Sequence, residues 1–304
     1  MNDRRSLTNV AASVRTRLLN HSRARNEDFN HLLTRFGAER MLYRLTQTEH
    51  ANAFVLKGAM LFALWTDLRH RATRDVDLLA LGPSDLERMA TIFRRACLVH
   101  VHDDGVRFDP DTVTATPLRA DEEYHGVRVN LRGLLGTARI DLQVDVGFGD
   151  TIIPAPVLVD FPTLLGQPAP RIATYPRETV VAEKLHAMVT RGMANSRMKD
   201  FFDIQFLARQ FSFDGPTLAR AIRATFDRRR VPLPGALPTA FTDEFMDDVA
   251  KRTQWKAFLR RSGLPGELDL RAVVSDVARF CWPAIEAARD DRAIGAWSPN
   301  GNWS

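Results

Sequence analysis

The sequence predicts an α/β domain followed by a mainly α-helical one. In the first half, short apolar runs with strand-like alternation are interleaved with helical patterns. From residue 178 onward, one helical pattern follows another with Gly and Pro between them. A proline-rich stretch at 150–170 separates the two regimes and marks a crossing between domains, here drawn as 1–170 and 171–304.

At 304 residues the chain can hold two domains, each with its own core. With 45% hydrophobic and 26% charged residues it has the composition of a soluble globular protein. No apolar run approaches the roughly 18 residues that span a bilayer. The N-terminal MNDRRSLTNV carries charge without an apolar segment, so neither membrane insertion nor secretion is expected. Cys97 and Cys281 are too few and too far apart for a disulfide framework or a cysteine zinc site, which fits a reducing cytoplasm. A net charge of +5 favours a polyanionic partner such as nucleic acid, although modest positive charge is also common in arginine-rich bacterial proteins.

Residues 7–49 read as helices, with Val10, Val14, Leu18 and Leu19, then Phe29, Leu32, Leu33, Phe36, Met41, Leu42 and Leu45, at helical spacing. Arginines 15, 17, 23, 25, 35, 40 and 44 are expected on a solvated face, with an RNA-facing surface as the sharper alternative. Phe54-Val55-Leu56 is a short apolar run ending at Lys57-Gly58, and a helical pattern follows from Ala59 to Trp65. Next come a strand beginning at Asp75 and a helix over 84–97 with Ser84 as N-cap and Glu87 at capping-box spacing. Strands are predicted at 98–101, 112–117, 127–131 and 139–146, with a short one near 157–159. Helices are predicted at 178–191, 197–211, 216–226, 242–263 and 269–288, and the tail 297–304 is expected to be loose.

Asp75 and Asp77 lie two residues apart, so a strand sends both to one face. Two such charges repel unless something positive sits between them, and hard, oxygen-seeking Mg²⁺ that shares its coordination with phosphates is the usual occupant. In the run Arg139 to Asp150, alternation places Ile140, Leu142, Val144 and Val146 on one face and Asp141, Gln143 and Asp145 on the other. Such a strand can lie beside the first and supply a third carboxylate. Asp145, at the strand end before Gly147-Phe148-Gly149, is preferred; Asp141, further back on the same face, stays open. A half-exposed edge strand with solvated acids is the competing account.

In the second domain, Val181, Leu185 and Met188 form a buried stripe with Lys184 beside it. A lysine bordering a core can reach one defined anion, triphosphate among them, or can pair with Glu183 or Glu178. Asp200 and Asp203 share a helix face among Phe201, Phe202, Ile204, Phe206 and Leu207. Acids on so apolar a helix need a specific partner: Lys184, a nucleotide or an arginine. The chain has no G-x-x-x-x-G-K-[ST], H-E-x-x-H or G-x-S-x-G motif. Its histidines are scattered, and both cysteines sit in apolar helical patterns.

Taken together, these residues resemble the AbiEii/AbiGii family of nucleotidyltransferase toxins, a branch of the DNA polymerase β-like superfamily. The matching pieces are Leu56-Lys57-Gly58-Ala59, Arg71-x-Thr73-x-Asp75-x-Asp77, Asp145 to Asp150, Ala182-Glu183-Lys184-Leu185 and Lys199-Asp200-x-x-Asp203, spanning about residues 10–210. The resemblance implies a polymerase β-like domain, a mixed twisted sheet with flanking helices. The helical domain after it would contribute Lys184 and Asp200 or Asp203 to the cleft. It implies transfer of a nucleoside monophosphate from an NTP, with the tRNA 3′ end or other RNA as acceptor. An AbiEi-type antitoxin encoded nearby and a role in phage defence are further implications.

Carried over residue by residue, Asp75, Asp77 and Asp145 are the expected ligands of Mg²⁺ or Mn²⁺, and Lys184 and Asp200 join them as catalytic. Lys57, Gly58, Thr73, Lys184 and Asp203 are the expected nucleotide-binding set. Arg191, Arg197 and Arg228 to Arg230 are candidates for following an RNA backbone. The chain departs from the superfamily at Ala59, where a serine or glycine is usual, so phosphate binding there must rely on backbone N–H groups. Phosphorylation of Thr73 would add negative charge beside the acids and should inhibit. A small-molecule or protein acceptor, and a non-catalytic nucleic-acid- or antitoxin-binding module, are the competing functions.

Overall fold

The computed structural model describes residues 4–66, 71, 73, 75–118, 126–299 and 301–304. They form two compact units, one of Met1–Gly149 with Val157–Thr174, the other of Asp150–Pro156 with Tyr175–Ser304. The segment 150–170 thus contributes to both units rather than only crossing between them.

The first unit opens with α1 (Arg4–Arg25) and α2 (Phe29–Leu45). Strand β1 (Phe54–Lys57) leads through a 3-10 turn at Gly58–Leu61 into α3 (Phe62–Trp65), β2 (Asp75–Ala80) and α4 (Leu86–Leu98). Then follow β3 (Val106–Pro117), β4 (Val127–Leu135), β5 (Ala138–Phe148), β6 (Val157–Asp160) and β7 (Arg171–Thr174). Among the described residues these seven strands make one mixed sheet, in the order β3-β4-β5-β2-β1-β7-β6. This is the mixed α/β architecture the sequence predicts.

The period-two pattern of β5 decides how the sheet is covered. Ile140, Leu142, Val144 and Val146 are buried while the residues between them are more exposed. Helix α2 reaches this apolar face at Gly37, where a β-carbon would fall 2.5 Å from Cγ2 of Ile140 and 3.5 Å from Cδ2 of Leu142. Phe93 of α4 meets Phe54 of β1 edge-on at 6.1 Å. The apolar face is therefore under helices, and the acids project from the other.

Several local expectations change. Helix α4 is capped by Asp85, whose carboxylate accepts from the N–H of Arg88, rather than by Ser84. No strand forms at 98–101, because α4 runs on through Leu98. Arg40 and Arg44 are buried rather than on a solvated face. Arg40 donates to Glu39 and to the Pro168 carbonyl, and Arg44 grips Asp104 with both terminal nitrogens at 2.7 and 3.0 Å. Arg44 thereby gains fixed acceptors inside the unit, which offset its loss of water.

The second unit holds α5 (Arg177–Arg191), α6 (Met198–Gln210), β8 (Phe213–Asp214), α7 (Gly215–Arg228), α8 (Asp243–Asp247), α9 (Val249–Ser262), α10 (Leu270–Asp290), β9 (Ala296–Ser298) and β10 (Asn302–Trp303). The single helix expected at 242–263 is split because Asp248 takes an extended conformation and caps a new start, accepting from the N–H of Lys251. The tail is not loose. Strand β9 lies between β8 and β10, Trp297 is 3% exposed, and its indole N–H donates to the carbonyl of Ala208. No described helix is long and apolar enough to cross a membrane.

Candidate active site

Strand register gathers the acids of the first unit. Strand β2 runs parallel to β5 with Asp77 opposite Asp145 and Asp75 opposite Gln143. On the far side of β5, β4 is antiparallel with Arg128 opposite Asp145; on the far side of β2, β1 is antiparallel with Lys57 opposite Asp77. Residues paired across a ladder project from the same face. One row across four strands therefore reads Arg128, Asp145, Asp77, Lys57: two acids between two bases. The residues that flank it along the strands, Val76, Leu78, Val144 and Val146, are buried on the opposite face.

Directly opposed side chains lie about 4.5–5.5 Å apart at Cβ, and like charges there destabilise a sheet. Asp145 is offset by Arg128, whose Nε and Nη2 donate to its two oxygens at 2.8 and 2.9 Å. That hydrogen bonding to Asp145 is the main cause that raises the Arg128 pKa, with the charges of Asp145, Asp75 and Asp77 adding to it. Asp75 accepts from the Gln143 side-chain amide at 3.2 Å, and the Thr73 hydroxyl donates to the Asp75 carbonyl at 3.4 Å. Asp141 lies four residues before Asp145, 70% exposed and paired with Arg132 at 3.0 Å. The register thus sets Asp145, and not Asp141, beside Asp77.

Gly58 follows β1 at a φ of +73°, a conformation glycine adopts freely. A β-carbon there would overlap Oδ2 of Asp77 and lie 2.6 Å from its Cγ. The missing side chain is the space into which the Asp77 carboxylate extends. Asp75 and Asp77 offer hard oxygens beside that space, a donor set that fits a divalent cation of the Mg²⁺ type. Asp145 is turned onto Arg128, and among the described residues no three His, Cys, Asp or Glu side chains close on one point.

The second unit contains the remaining expected residues. Lys184 of α5 lies 2.7 Å from an oxygen of Asp200 and 2.7 Å from one of Asp203, both on α6. Arg197 holds the other oxygen of Asp200 at 2.6 Å. Both aspartates have fully buried side chains and that of Lys184 is 11% exposed, so Lys184 sits in a buried cluster rather than reaching to solvent as a snorkelling lysine would. Burial, the largest single influence on Asp200, pushes its pKa up; Lys184 and Arg197 outweigh it and hold the carboxyl below its ordinary value.

A neighbouring network went unforeseen. The Tyr175 hydroxyl sits 3.2 Å from Glu183 and 3.5 Å from Asp150, and Arg229 reaches Asp150 at 3.4 Å. Arg229 also donates to Nδ1 of His186 at 3.2 Å. Burial, and then the Arg229 charge, push the His186 pKa down to about 4, so the ring is neutral. Arg197 and Arg229 pair with acids of their own unit, and Arg228 and Arg230 are exposed. Arg128 was also missed, though the polar alternation Arg128, Asn130, Arg132 was a signal for it. Burial pushes the Cys97 thiol up to about 12 and raises Cys281 as well, which leaves neither as a thiolate nucleophile.

No curated protein matches this chain. Among solved structures, one described as a nucleotidyltransferase from H. pylori is 14% identical with a TM-score of 0.49, covering 87% of this chain and 97% of its own. JHP933 from Helicobacter pylori is 13% identical with a TM-score of 0.47, covering 83% and 90%. The family model of the AbiEii toxin, a nucleotidyl transferase of type IV toxin–antitoxin systems, matches residues 40–288. That span holds the Gly58 turn, all four strands that bear the acids or their partners, and the Lys184 cluster. The chain belongs to the AbiEii family of nucleotidyltransferase toxins, and a type IV toxin–antitoxin system implies an antitoxin as its counterpart.

Proposed function

We propose that this protein transfers a nucleoside monophosphate from an NTP to the 3′ end of an RNA, with tRNA as the acceptor and Mg²⁺ as the assisting ion, for which Mn²⁺ can substitute. The observation that carries the reading is the pairing of Asp77 with Asp145 beside Asp75, next to a glycine with no room for a side chain. Blocking tRNA 3′ ends would halt translation in the cytoplasm, an outcome suited to a toxin restrained by an AbiEi-type antitoxin and used against phage.

Bound Mg²⁺ would neutralise charge on the triphosphate and lower the pKa of the acceptor hydroxyl. Asp75, Asp77 and Asp145 are the residues that would hold it. The acceptor 3′-oxygen attacks the α-phosphorus, a P–O bond forms, and the bond to pyrophosphate breaks. In the second unit, Lys184 is the proposed point charge for phosphate, with Asp200 and Asp203 fixing its ammonium. Lys57, Thr73 and the Gly58 backbone complete the nucleotide contacts. The net charge of +5 favours a polyanionic acceptor over a neutral small molecule.

The test is incubation with total tRNA, Mg²⁺ and each α-labelled NTP in turn. Label on tRNA, lost with chelator and in Asp75→Asn or Asp77→Asn, is expected. Label on a protein or small molecule instead, or none at all with growth unaffected on induction, overturns the reading.

A further inference from the structure

We infer that Arg128 is the resident counter-ion of Asp145, and that it makes entry of a divalent cation depend on the nucleotide that carries it. The inference rests on the reading of Asp75, Asp77 and Asp145 as metal ligands. Arg128 engages both oxygens of Asp145, at 2.8 and 2.9 Å, so a cation that reaches Asp145 must share those oxygens with a guanidinium or displace it. The row Arg128, Asp145, Asp77, Lys57 carries two positive and two negative charges and is balanced as it stands. A free divalent cation placed on it leaves a surplus of positive charge. The same cation bound to a triphosphate does not, and the phosphates offer the displaced guanidinium a new bidentate acceptor.

The side chains can make this exchange. Arg128 is 39% exposed on a long, flexible stem, whereas Asp145 is 16% exposed and held in the row. The next charged pair along the same two strands supplies an internal control. Arg132 and Asp141 are also opposed in register and ion-paired, but both are well exposed and no acid of β2 stands in their row. A purely structural cross-strand pair predicts the same behaviour for both arginines; a counter-ion role sets Arg128 apart.

The experiment is Mn²⁺ binding to the full chain, followed by electron paramagnetic resonance, with and without a non-hydrolysable α,β-methylene NTP. Wild type should bind Mn²⁺ weakly alone and more tightly with the analogue. Arg128→Gln should tighten the analogue-free binding about three- to tenfold and shrink the effect of the analogue. Arg132→Gln should behave as wild type. Arg128→Lys keeps the charge but grips one oxygen, so it should fall between wild type and Arg128→Gln, and it serves if the glutamine variant fails to fold. Analogue-free affinity that is unchanged or weaker in both Arg128 variants overturns the inference, as does an equal gain in Arg132→Gln. If wild type binds with the analogue and Asp77→Asn does not, the metal site stands whatever Arg128 does. If no form binds Mn²⁺ under either condition, the metal reading itself fails and this inference with it.

Discussion

The backbone of Gly58, in the turn after β1, and the carboxylate of Asp77 on β2 occupy adjoining space, so close that a methyl group on Gly58 would sit 2.6 Å from Asp77 Cγ. Gly58 also holds φ at +73°, which costs an L-residue about 1–2 kcal/mol. Gly58→Ala should therefore fold with a slightly lowered Tm while pushing Asp77 out of its row. A displacement near 1 Å at a reacting centre costs on the order of 10²-fold. The rate of labelled NMP transfer, set beside a thermal melt, measures both; transfer within a factor of about three of wild type would refute the close packing as functional.

Asp77→Asn and Asp75→Asn separate chemistry from stability. Asp77→Asn relieves repulsion from Asp145 but loses attraction to Lys57 in the same row, each about 0.2–1 kcal/mol, so its Tm should stay close to that of wild type. Nucleotidyl transfer should fall by roughly 10²- to 10⁴-fold in each variant, as for loss of a group that stabilises transition-state charge. A stable variant with full activity would remove these residues from the reaction.

Lys184→Met removes from the buried Asp200 and Asp203 the cation that both share. Breaking a buried pair in this way costs about 3–5 kcal/mol. The pH dependence has a definite sign. Asp200 is held below its ordinary value in the folded state, so its contribution is complete above the unfolded pKa near ~4 and fades as pH falls through the folded value. Wild type should resist acid down to about pH 4, and Lys184→Met should unfold at a higher pH. Acid titration followed by circular dichroism reads the shift.

His186 works at milder pH. Its folded pKa near 4 lies below the unfolded value of about 6.5, so the unfolded chain takes up a proton that the folded one refuses. Stability from this group is complete above pH ~6.5 and declines between there and pH 4, by about 3 kcal/mol if the full shift applies. His186→Asn should flatten that part of the profile while losing the contact from Arg229. Urea unfolding at pH 7.5 and 5 in both forms is the measurement, and parallel losses would exclude His186 as the cause.

The acids themselves were legible because a strand's period of two is written into the chain. Asp75 and Asp77 had to share a face, as did Asp141, Gln143 and Asp145. The helix spacing of Asp200 and Asp203, among phenylalanines, likewise showed that a specific partner must meet them. The tail was misread because Trp297 and Trp303 have no periodic context. Their burial against Phe280 depends on β8, more than eighty residues earlier in the chain.

By itself the sequence determined which residues face together on each strand or helix, since those periods are local properties of the backbone, and the motif order placed the chain in its family. Only the tertiary structure decided which faces meet. It set Asp145 rather than Asp141 opposite Asp77, closed Arg128 on Asp145, and gave Lys184 two buried aspartates. The physical reason is that strand register and helix pairing are fixed by apolar burial summed over whole elements, such as Gly37 of α2 against Ile140 of β5, and not by the charged residues those elements bring together.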